Sequence, residues 1–460
     1  MININKSSIL IYTISFASFM VNLDTYVVNV ALPSIANSFG AVTSDISWIV
    51  MAYNLMVVSL LLIFGKLGDT IGLKKLFVAG FGIFTISSLM CGFSNSVFML
   101  IFSRFIQGIG ASVLYALPQA MIAKYLPQNL RGMAFGILAG AAALGITLGA
   151  PVSAFITEFL SWRWIFFINI PVGILSIIFL NYSVNGAIFE KNKKNADFDY
   201  MGAVLSFIGV LFCVLFINRG GIFGWFSKEV LLFVIISFVS CGLFVIRSIR
   251  IKNPLVNLSI FGNLDFDYAN VAMFLVSAYL SATNFLIPFY LSDILKLSTV
   301  QTGFLFMIYS ISYLITSFIS GKISNKMPLK LICAGSMFIL SLNILGLVFS
   351  MDYVSKIFLY PFFVLSGITM SFFITSNNNL VMKMAKRGEE GMTAGIHRLV
   401  GRMGMLLGVA LFEAFYSLNL KFGDLQAYKN SYLLAMVICL TAVIFSVLIK
   451  TTKNLKNVNI

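Results

Sequence analysis

Long uninterrupted apolar runs are the feature of this sequence that most restricts its fold. A helix that crosses a membrane needs about 20 apolar residues. Cutting the sequence at its charges and at its Gly, Pro and Asn clusters leaves fourteen such runs. Only 10% of the residues are charged, whereas an average soluble domain carries roughly a quarter. With a mean hydropathy of +0.97 over 460 residues, the sequence predicts an all-α membrane protein with fourteen transmembrane helices.

The predicted helices begin near residues 8, 44, 76, 97, 132, 164, 200, 230, 267, 301, 331, 357, 391 and 432. The first run lacks a small-residue cleavage site, so we expect a retained helix rather than a removed signal peptide. The five cysteines are scattered singly and there is one histidine, which disfavours disulfides and metal centres. No Gly-x-x-x-x-Gly-Lys-Ser/Thr phosphate loop occurs. We expect neither an enzyme nor an ATP-driven motor, and no bound cofactor.

The distribution of basic residues predicts the orientation of the chain. The formal net charge is +15, but the basic residues sit in short loops and form no stripe, so we expect no binding of nucleic acid. Cytoplasmic loops of membrane proteins are enriched in Lys and Arg. With a cytoplasmic N-terminus, the outer loops hold only seven of the 31 Lys and Arg, namely Arg163, Arg219, Lys228, Lys296, Lys356, Lys421 and Lys429. An even helix count then predicts that both termini are cytoplasmic.

Two loops repeat each other and indicate a chain built from two halves. Gly65–Lys74 follows the second helix, and Gly321–Lys330 follows the tenth with the same Gly-Lys start and final Lys. Such repeats are typical of secondary transporters. If helices seven and eight are an inserted pair, the two loops correspond. We predict a six-helix bundle at 1–186, a cytoplasmic hinge with the inserted pair and the following loop at 187–266, and a second six-helix bundle with a basic tail at 267–460.

Four stretches carry a resemblance to a known family. They are Asn22–Pro33 in the first helix, Gly65–Lys75 after the second, Ser103–Ala111 in the fourth, and Trp162–Gly173 at the start of the sixth. In this order they resemble the major facilitator superfamily, and specifically its fourteen-helix drug:proton antiporter branch. The resemblance is dense over residues 20–175 and thin afterwards. It implies the major facilitator fold, with two six-helix bundles and an inserted pair, and proton-driven export.

Asp24 and Arg104 are the residues most indicative of function. Measured from the predicted outer helix ends, Asp24 lies about eight residues and Arg104 about seven residues deep, or roughly 10–12 Å. Opposite charges at one depth can satisfy each other, whereas an isolated charge there is expensive. We predict that Asp24 binds a proton in one conformation and that Arg104 competes with the proton for the carboxylate. The alternative is a permanent structural ion pair between two helices.

The loop after the second helix is predicted to act as a cytoplasmic gate. The resemblance implies a latch that closes the cytoplasmic side in one state. Gly68 and Gly72 permit a tight turn, and Asp69 could cap a helix or pair with a cation such as Arg131. The alternative is a basic loop that only fixes topology. The predicted gate residues are Gly65, Asp69, Gly72, Lys74, Lys75 and Arg131.

The fifth helix is rich in small residues. Small side chains let neighbouring helices approach closely, so we predict packing contacts along this helix. The residues concerned are Gly136, Gly140, Gly145, Gly149 and Pro151. In the family this region ends in a Gly-Pro…Gly-Gly element associated with antiport. In the matching stretch Gly149–Ala154 the proline is displaced and both later glycines are replaced, which weakens the inference of antiport from this element.

Charges within the thirteenth helix predict a polar track or interfacial anchors. Arg398, Arg402 and Glu413 fall on one helical face. They either line a substrate route, where the arginines favour an anionic or zwitterionic group, or reach to the two interfaces. His397 is predicted to be a satisfied polar residue rather than a second proton carrier. Other predicted cavity residues, chosen for polarity, are Tyr53, Asn54, Gln107, Gln119, Tyr279, Asn284, Asn377 and Asn378.

Three functions remain open from the sequence. The first is an exporter of amphipathic small molecules driven by protons, acting as a monomer in the cytoplasmic membrane of a bacterium. The second is a dedicated exporter of one metabolite, anion or lipid on the same fold. The third is a membrane sensor or partner subunit that transports nothing, which would have little need for Asp24 and Arg104 at matched depth.

Overall fold

The computed structural model describes residues 4–183, 199–251, 254–255, 262–324, 327–353, 356–385 and 390–450. Within these ranges the side chains of residues 4–6, 69–70, 221–222 and 390–392 are not described. All regular secondary structure in the described part of the chain is helical. Fourteen helical segments there are long and apolar enough to cross a membrane. The predicted helix count is confirmed.

The chain packs into two compact units, which we describe separately. Unit 1 comprises Met1–Leu258, Asn284–Met307 and Val409–Ser417, and unit 2 comprises Ser259–Thr283, Ile308–Gly408 and Leu418–Ile460. These units reflect packing, whereas the predicted boundaries at 186 and 266 rest on a sequence repeat, so the three-part division stays a prediction. The polar connection at 187–198 and Asn325 of the repeated loop lie outside the described residues.

In the described residues, ten α-helices precede the long connection after residue 250. They are α1 (Ile4–Phe39), α2 (Thr43–Ile71), α3 (Leu73–Gly92), α4 (Val97–Ala116), α5 (Pro118–Tyr125), α6 (Gln128–Phe159), α7 (Trp164–Phe167), α8 (Asn169–Ser183), α9 (Tyr200–Phe223) and α10 (Lys228–Arg250). Two membrane spans are interrupted, because α4 and α5 form one span and α7 and α8 form another. The inserted pair of the sequence prediction is α9 and α10.

Six α-helices follow that connection in the part of the chain that the structure describes. They are α11 (Leu264–Phe289), α12 (Thr299–Ile323), α13 (Leu329–Ser350), α14 (Leu359–Lys383), α15 (Glu390–Asn419) and α16 (Asp424–Leu448). The last helix was predicted to begin near residue 432, and this prediction is wrong. Its first two turns are polar, but Lys429 Nζ lies 2.6 Å from Asp352 Oδ1, so the charged turn is stabilised outside the apolar run.

The first helix is also longer than predicted. The outer end of this helix was predicted about eight residues after Asp24, yet α1 continues through Pro33 to Phe39. Proline is tolerated inside membrane helices because neighbouring groups satisfy the backbone carbonyl that it leaves free. The predicted depth of Asp24 below the outer end of this helix is therefore wrong, since Asp24 lies much further from Phe39. The predicted pairing of Asp24 with Arg104 does not depend on that depth.

Unit 1 is held together by close helix approaches around α1 and α4. A Cβ added to Gly145 would lie 2.5 Å from the Phe19 carbonyl oxygen of α1, and one added to Gly149 would lie 2.7 Å from Tyr26 Cβ. One added to Gly108 of α4 would lie 2.6 Å from the Tyr53 carbonyl oxygen of α2. Backbones this close gain van der Waals contact, which drives helix association in lipid. These contacts join α6 to α1 on either side of Asp24, and α4 to α2 close to Arg104.

Two predicted packing glycines make no such contact. A Cβ added to Gly136 or Gly140 would have no atom of the described residues within 4 Å, so the prediction of close packing is wrong at these positions. Small-residue spacing alone does not indicate which turns of a helix face a neighbour. Pro151 lies inside α6 and is half-buried.

Unit 2 contains α13 packed against both α14 and α16. The Asn343 amide of α13 donates to the Phe362 carbonyl and to Ser366 Oγ of α14, each at 3.0 Å. Lys330 Nζ donates to the Ile449 carbonyl at the end of α16, at 3.1 Å. Polar side chains thus connect these apolar helices at defined points, as buried polar groups in lipid require partners.

Candidate functional site

Asp24 lies at the centre of a buried polar cluster in unit 1. Arg104 Nη1 of α4 lies 2.5 Å from Asp24 Oδ2. Gln107 Nε2 and Asn169 Nδ2 donate to Asp24 Oδ1 at 3.0 Å and 3.1 Å. Both Asp24 and Arg104 are 1% exposed. The carboxylate therefore receives one charged donor and two neutral donors, from α4 and α8.

Arg104 is fixed by more than its ion pair. Its Nε donates to the Ile49 carbonyl of α2 at 3.2 Å, and its Nη1 donates to Gln107 Oε1 at 2.6 Å. The guanidinium carbon lies 4.1 Å from the centre of the Tyr53 ring, within the range of a cation–π interaction. Two charges removed from water are stable only when geometry and additional hydrogen bonds compensate for lost hydration. This cluster provides such compensation.

A second layer extends the cluster to α3. Gln107 Nε2 also donates to Ser88 Oγ at 2.8 Å, and Cys91 Sγ lies 3.7 Å from Gln107 Oε1. Four helices besides α1, namely α2, α3, α4 and α8, thus contribute polar groups to the surroundings of one carboxylate. The sequence analysis placed Tyr53 and Gln107 in a substrate track, but the structure places both against Arg104.

The sequence analysis missed four members of this cluster. Asn169, Ser88, Cys91 and the Ile49 carbonyl were not predicted. A signal existed for Asn169, since it is the one side-chain amide within the stretch Trp162–Gly173 that resembles the family. Ser88 sits in an ordinary apolar helix, and a backbone carbonyl leaves no trace in sequence. The predicted proton-coupling role of Asp24 and Arg104 stays a prediction.

Four of the predicted gate residues, 69, 72, 74 and 75, lie at the turn between α2 and α3, whereas Gly65 lies inside α2 and Arg131 lies in α6. Gly72 adopts φ 105°, a conformation that residues with a Cβ rarely adopt. Lys75 is exposed, and Arg131 Nε donates to the Leu126 carbonyl at 3.0 Å. Gly65 and Lys74 lie within α2 and α3. The Asp69 side chain lies outside the described residues, so its predicted pairing with Arg131 is untested, and the gate stays a prediction.

One gate-loop residue contacts the segment that follows the inserted pair. The Lys66 ammonium donates to the Pro254 carbonyl. At the same end of unit 1, Arg247 Nε of α10 lies 2.6 Å from Asp199 Oδ1, which also accepts from the Gly202 amide at 2.8 Å. Asp199 therefore caps α9 and joins α9 to α10. Burial alone raises the pKa of Asp199, but the hydrogen bonds from Arg247 and Gly202 outweigh it and lower the pKa below its ordinary value.

We expect Asp199→Asn to destabilise the α9–α10 pair. Asparagine still caps α9, so the variant removes only the ionic contact with Arg247, worth about 1 kcal/mol or less for a partly exposed pair. Because the folded pKa lies below the unfolded one, this stabilisation is present above the unfolded pKa and disappears as pH falls through the folded pKa. Thermal unfolding in detergent should show a lower Tm for the variant at neutral pH and equal values in strong acid. A difference that persisted in acid would contradict this account.

The remaining predicted substrate-track residues are distributed over both units. In unit 1, Asn54 and Asn284 are buried, and the Asn54 Oδ1 and Asn284 Nδ2 atoms have no hydrogen-bond partner among the described residues. In unit 2, Asn377 donates to the Ala269 carbonyl at 3.1 Å. Tyr279 is buried and Gln119 is exposed. Their role as a substrate track stays a prediction.

The charged residues of α15 differ in their surroundings. Arg398 is exposed and its Nε donates to the Ala394 carbonyl, while Arg402 is half-buried. Glu413 is 1% exposed, so the alternative in which it reaches out to the interface is wrong. The His397 ring nitrogens lie 2.9 Å from Asn270 Oδ1 and 3.0 Å from Asn378 Oδ1. His397 is thus hydrogen-bonded on both sides, as predicted for a satisfied polar residue.

Comparison with known proteins identifies the family. The sequence pattern described as Major Facilitator Superfamily matches residues 14–197 and 269–459. The chain belongs to the major facilitator superfamily. The matched ranges leave out residues 198–268, which contain α9 and α10. Membership in this family of transporters makes the protein a membrane transporter rather than an enzyme.

Relatives within the superfamily have transport functions in their names. The riboflavin transporter RibZ of Clostridioides difficile (strain 630) is 28% identical over 97% of this chain and 99% of its own length. The multidrug transporter MdtP of Bacillus subtilis (strain 168) is 26% identical over 92% of this chain and 78% of its own length. A solved D-xylose-proton symporter has a TM-score of 0.70 at 14% identity, with 97% of this chain and 98% of that chain covered. The last similarity supports the major facilitator fold alone.

Proposed function

We propose that this transporter exports amphipathic small molecules in exchange for protons. The observation that carries the proposal is the buried pair of Asp24 and Arg104, with 2.5 Å between Asp24 Oδ2 and Arg104 Nη1. An ionisable group inside a membrane-spanning helix is expensive and is usually retained for function. Two relatives support the substrate class, MdtP, which is named a multidrug transporter protein, and Stp of Mycobacterium tuberculosis, which is named a multidrug resistance protein.

In the proposed cycle Asp24 exchanges Arg104 for a proton. The conformation described here has Asp24 bound to Arg104. A proton arriving at Asp24 removes the negative charge that holds the guanidinium, so the two states differ in their helix contacts. One proton crossing 100 mV supplies about 2.3 kcal/mol, which supports roughly a fifty-fold substrate gradient. No cofactor is needed, and we propose that a monomer with both termini in the cytoplasm of a bacterium suffices.

A dedicated metabolite carrier is the second candidate. It is favoured by RibZ, a riboflavin transporter whose similarity extends over nearly the full length of both chains. The replaced glycines in Gly149–Ala154 and the arginines at 398 and 402 of α15 point the same way. In that case one planar or anionic metabolite, rather than a range of amphipathic compounds, would be exported.

Reconstitution in vesicles loaded with a pH-sensitive dye tests transport and coupling together. We expect addition of a substrate to move protons into or out of the vesicle lumen. The direction of this movement depends on the orientation of the protein in the vesicle membrane. The compounds to compare are lipophilic cations, organic anions and riboflavin. A response to several lipophilic cations supports the first candidate, and a response confined to one metabolite supports the second. Substrate uptake without any change in luminal pH would contradict proton coupling.

A further inference from the structure

A second carboxylate is buried in a membrane-spanning helix of unit 1. Glu413 of α15 is 1% exposed, and no Lys, Arg or His nitrogen of the described residues forms a salt bridge with it. Asp24 is equally buried, but it has Arg104 as a counter-ion. The two carboxylates therefore occupy different electrostatic surroundings. Only the charge of Asp24 is neutralised by a direct partner.

The hydrogen-bond partners of Glu413 are neutral. Asn218 Nδ2 of α9 donates to Glu413 Oε2 at 2.9 Å, and Ser417 Oγ donates to Glu413 Oε1 at 2.7 Å. Asn218 is 1% exposed. Its own amide is oriented by Trp48 of α2, because the Trp48 Nε1 hydrogen donates to Asn218 Oδ1 at 2.9 Å. The Asn218 oxygen is thus occupied, and its NH2 group faces Glu413.

The charged groups near Glu413 do not supply a counter-ion. They are Arg219 of α9 and Asp45 of α2, which have opposite signs. Arg219 is half-buried and Asp45 is exposed, and water screens charges that it can reach. A carboxylate without a counter-ion in an apolar environment is destabilised relative to its protonated form. Two neutral donors are compatible with a protonated carboxyl, because its oxygens keep acceptor lone pairs in addition to the single O–H group.

We propose that Glu413 is a second proton-binding site, occupied in the conformation where Asp24 is bound to Arg104. This deepens the proposed proton-coupled transport and rests on it. Asn218 is the positioning residue of the site, so the inserted pair contributes a group to proton binding. The inserted helix α9 lies outside the two ranges that match the superfamily. The site therefore depends on a helix that the common part of the fold does not provide.

Infrared spectroscopy of the purified full chain in lipid nanodiscs measures this protonation directly. A protonated carboxyl in an apolar environment has a C=O stretching band that a carboxylate lacks. We expect this band at neutral pH in the wild type, without substrate or gradient. It should be lost in Glu413→Gln and retained in Asp24→Asn. Glu158→Gln is the matched control, since Glu158 is an exposed carboxylate of α6, and it should leave the band unchanged.

The positioning role of Asn218 has its own spectroscopic test. Removing a hydrogen bond to a carboxyl moves its C=O band to higher frequency, so we expect such a shift in Asn218→Ala, with the band itself retained. Glu413→Asp is a second variant that keeps the test conclusive if Glu413→Gln misfolds. We expect the C=O band to persist in Glu413→Asp at a shifted frequency. Two results would overturn the proposal. They are the absence of the band from the wild type at neutral pH and its persistence in a folded Glu413→Gln protein.

The two proposals fail in different measurements. The spectra need neither substrate nor transport, so they report on Glu413 even if the substrate class is wrong. Loss of coupling in Asp24→Asn together with absence of the Glu413 band would leave the proposed function intact and refute the second site. Conversely, a Glu413 band in a protein that moves no protons with its substrate would refute the proposed function alone.

Discussion

Asp24→Asn should abolish proton-coupled export while the protein still inserts in the membrane. The substitution keeps the shape of the side chain and one oxygen that can accept hydrogen bonds from Gln107 and Asn169. It replaces the oxygen that binds Arg104 by an NH2 group, and it removes the group that titrates. In proteoliposomes with a pH dye, we expect substrate-dependent proton movement to fall to background, a loss of at least tenfold. Normal coupling in this variant would show that Asp24 and Arg104 form only a structural pair.

Stability separates the coupling role from the structural role. Removing one partner of a buried ion pair leaves an uncompensated charge and costs about 3–5 kcal/mol, so Asp24→Asn should unfold at lower temperature than the wild type. In the double variant Asp24→Asn with Arg104→Gln, no charge is left unpaired, and we expect most of the lost stability to return. Coupling should stay absent from the double variant. If stability and coupling returned together, the structural explanation would be preferred.

The contact of Asp24 with Arg104 could be predicted from sequence because membranes make intramembrane charges conspicuous. In a chain with 10% charged residues, two opposite charges in apolar runs have few possible partners. The helix count was predictable for the same reason, since the apolar runs are long. The end of α1 was not, because proline terminates helices in water but is accommodated in lipid-facing bundles.

The partners of Glu413 could not be predicted from sequence. Its contacts with Asn218 and, through Asn218, with Trp48 join three helices that are far apart along the chain. Asn218 occurs in an apolar run as one of many single amides, and nothing in its local pattern indicates which helix it faces. Whether Glu413 is buried or reaches the membrane interface depends on the contact between α15 and α9. Helical spacing placed Glu413 on one face of its helix but could not show which helix packs against that face.

The fifth predicted helix, α6, also shows that sequence spacing does not reveal which positions face a neighbouring helix. Two of its glycines provide a matched pair of variants. Gly140 and Gly145 both lie inside α6, and sequence spacing treats them alike. A Cβ at Gly140 would meet nothing within 4 Å, whereas a Cβ at Gly145 would lie 2.5 Å from the Phe19 carbonyl oxygen. The nearest atom at Gly145 is backbone of α1, which cannot rotate away.

We therefore expect Gly140→Ala and Gly145→Ala to change stability in opposite directions. Alanine is favoured over glycine in a helix by about 1 kcal/mol, so Gly140→Ala should raise the Tm slightly. At Gly145 the steric conflict costs about 1–3 kcal/mol and should lower the Tm.

Thermal unfolding in the same detergent measures both variants against the wild type. Since Gly145 packs on the turn of α1 that precedes Asp24, its replacement should also reduce the rate of substrate-dependent proton movement. Gly140→Ala should leave that rate unchanged, because its neighbourhood is open. Equal and small effects at both positions would mean that α6 and α1 are not in close contact in the membrane. The position of Asp24 relative to Arg104 would then need a support other than this helix pair.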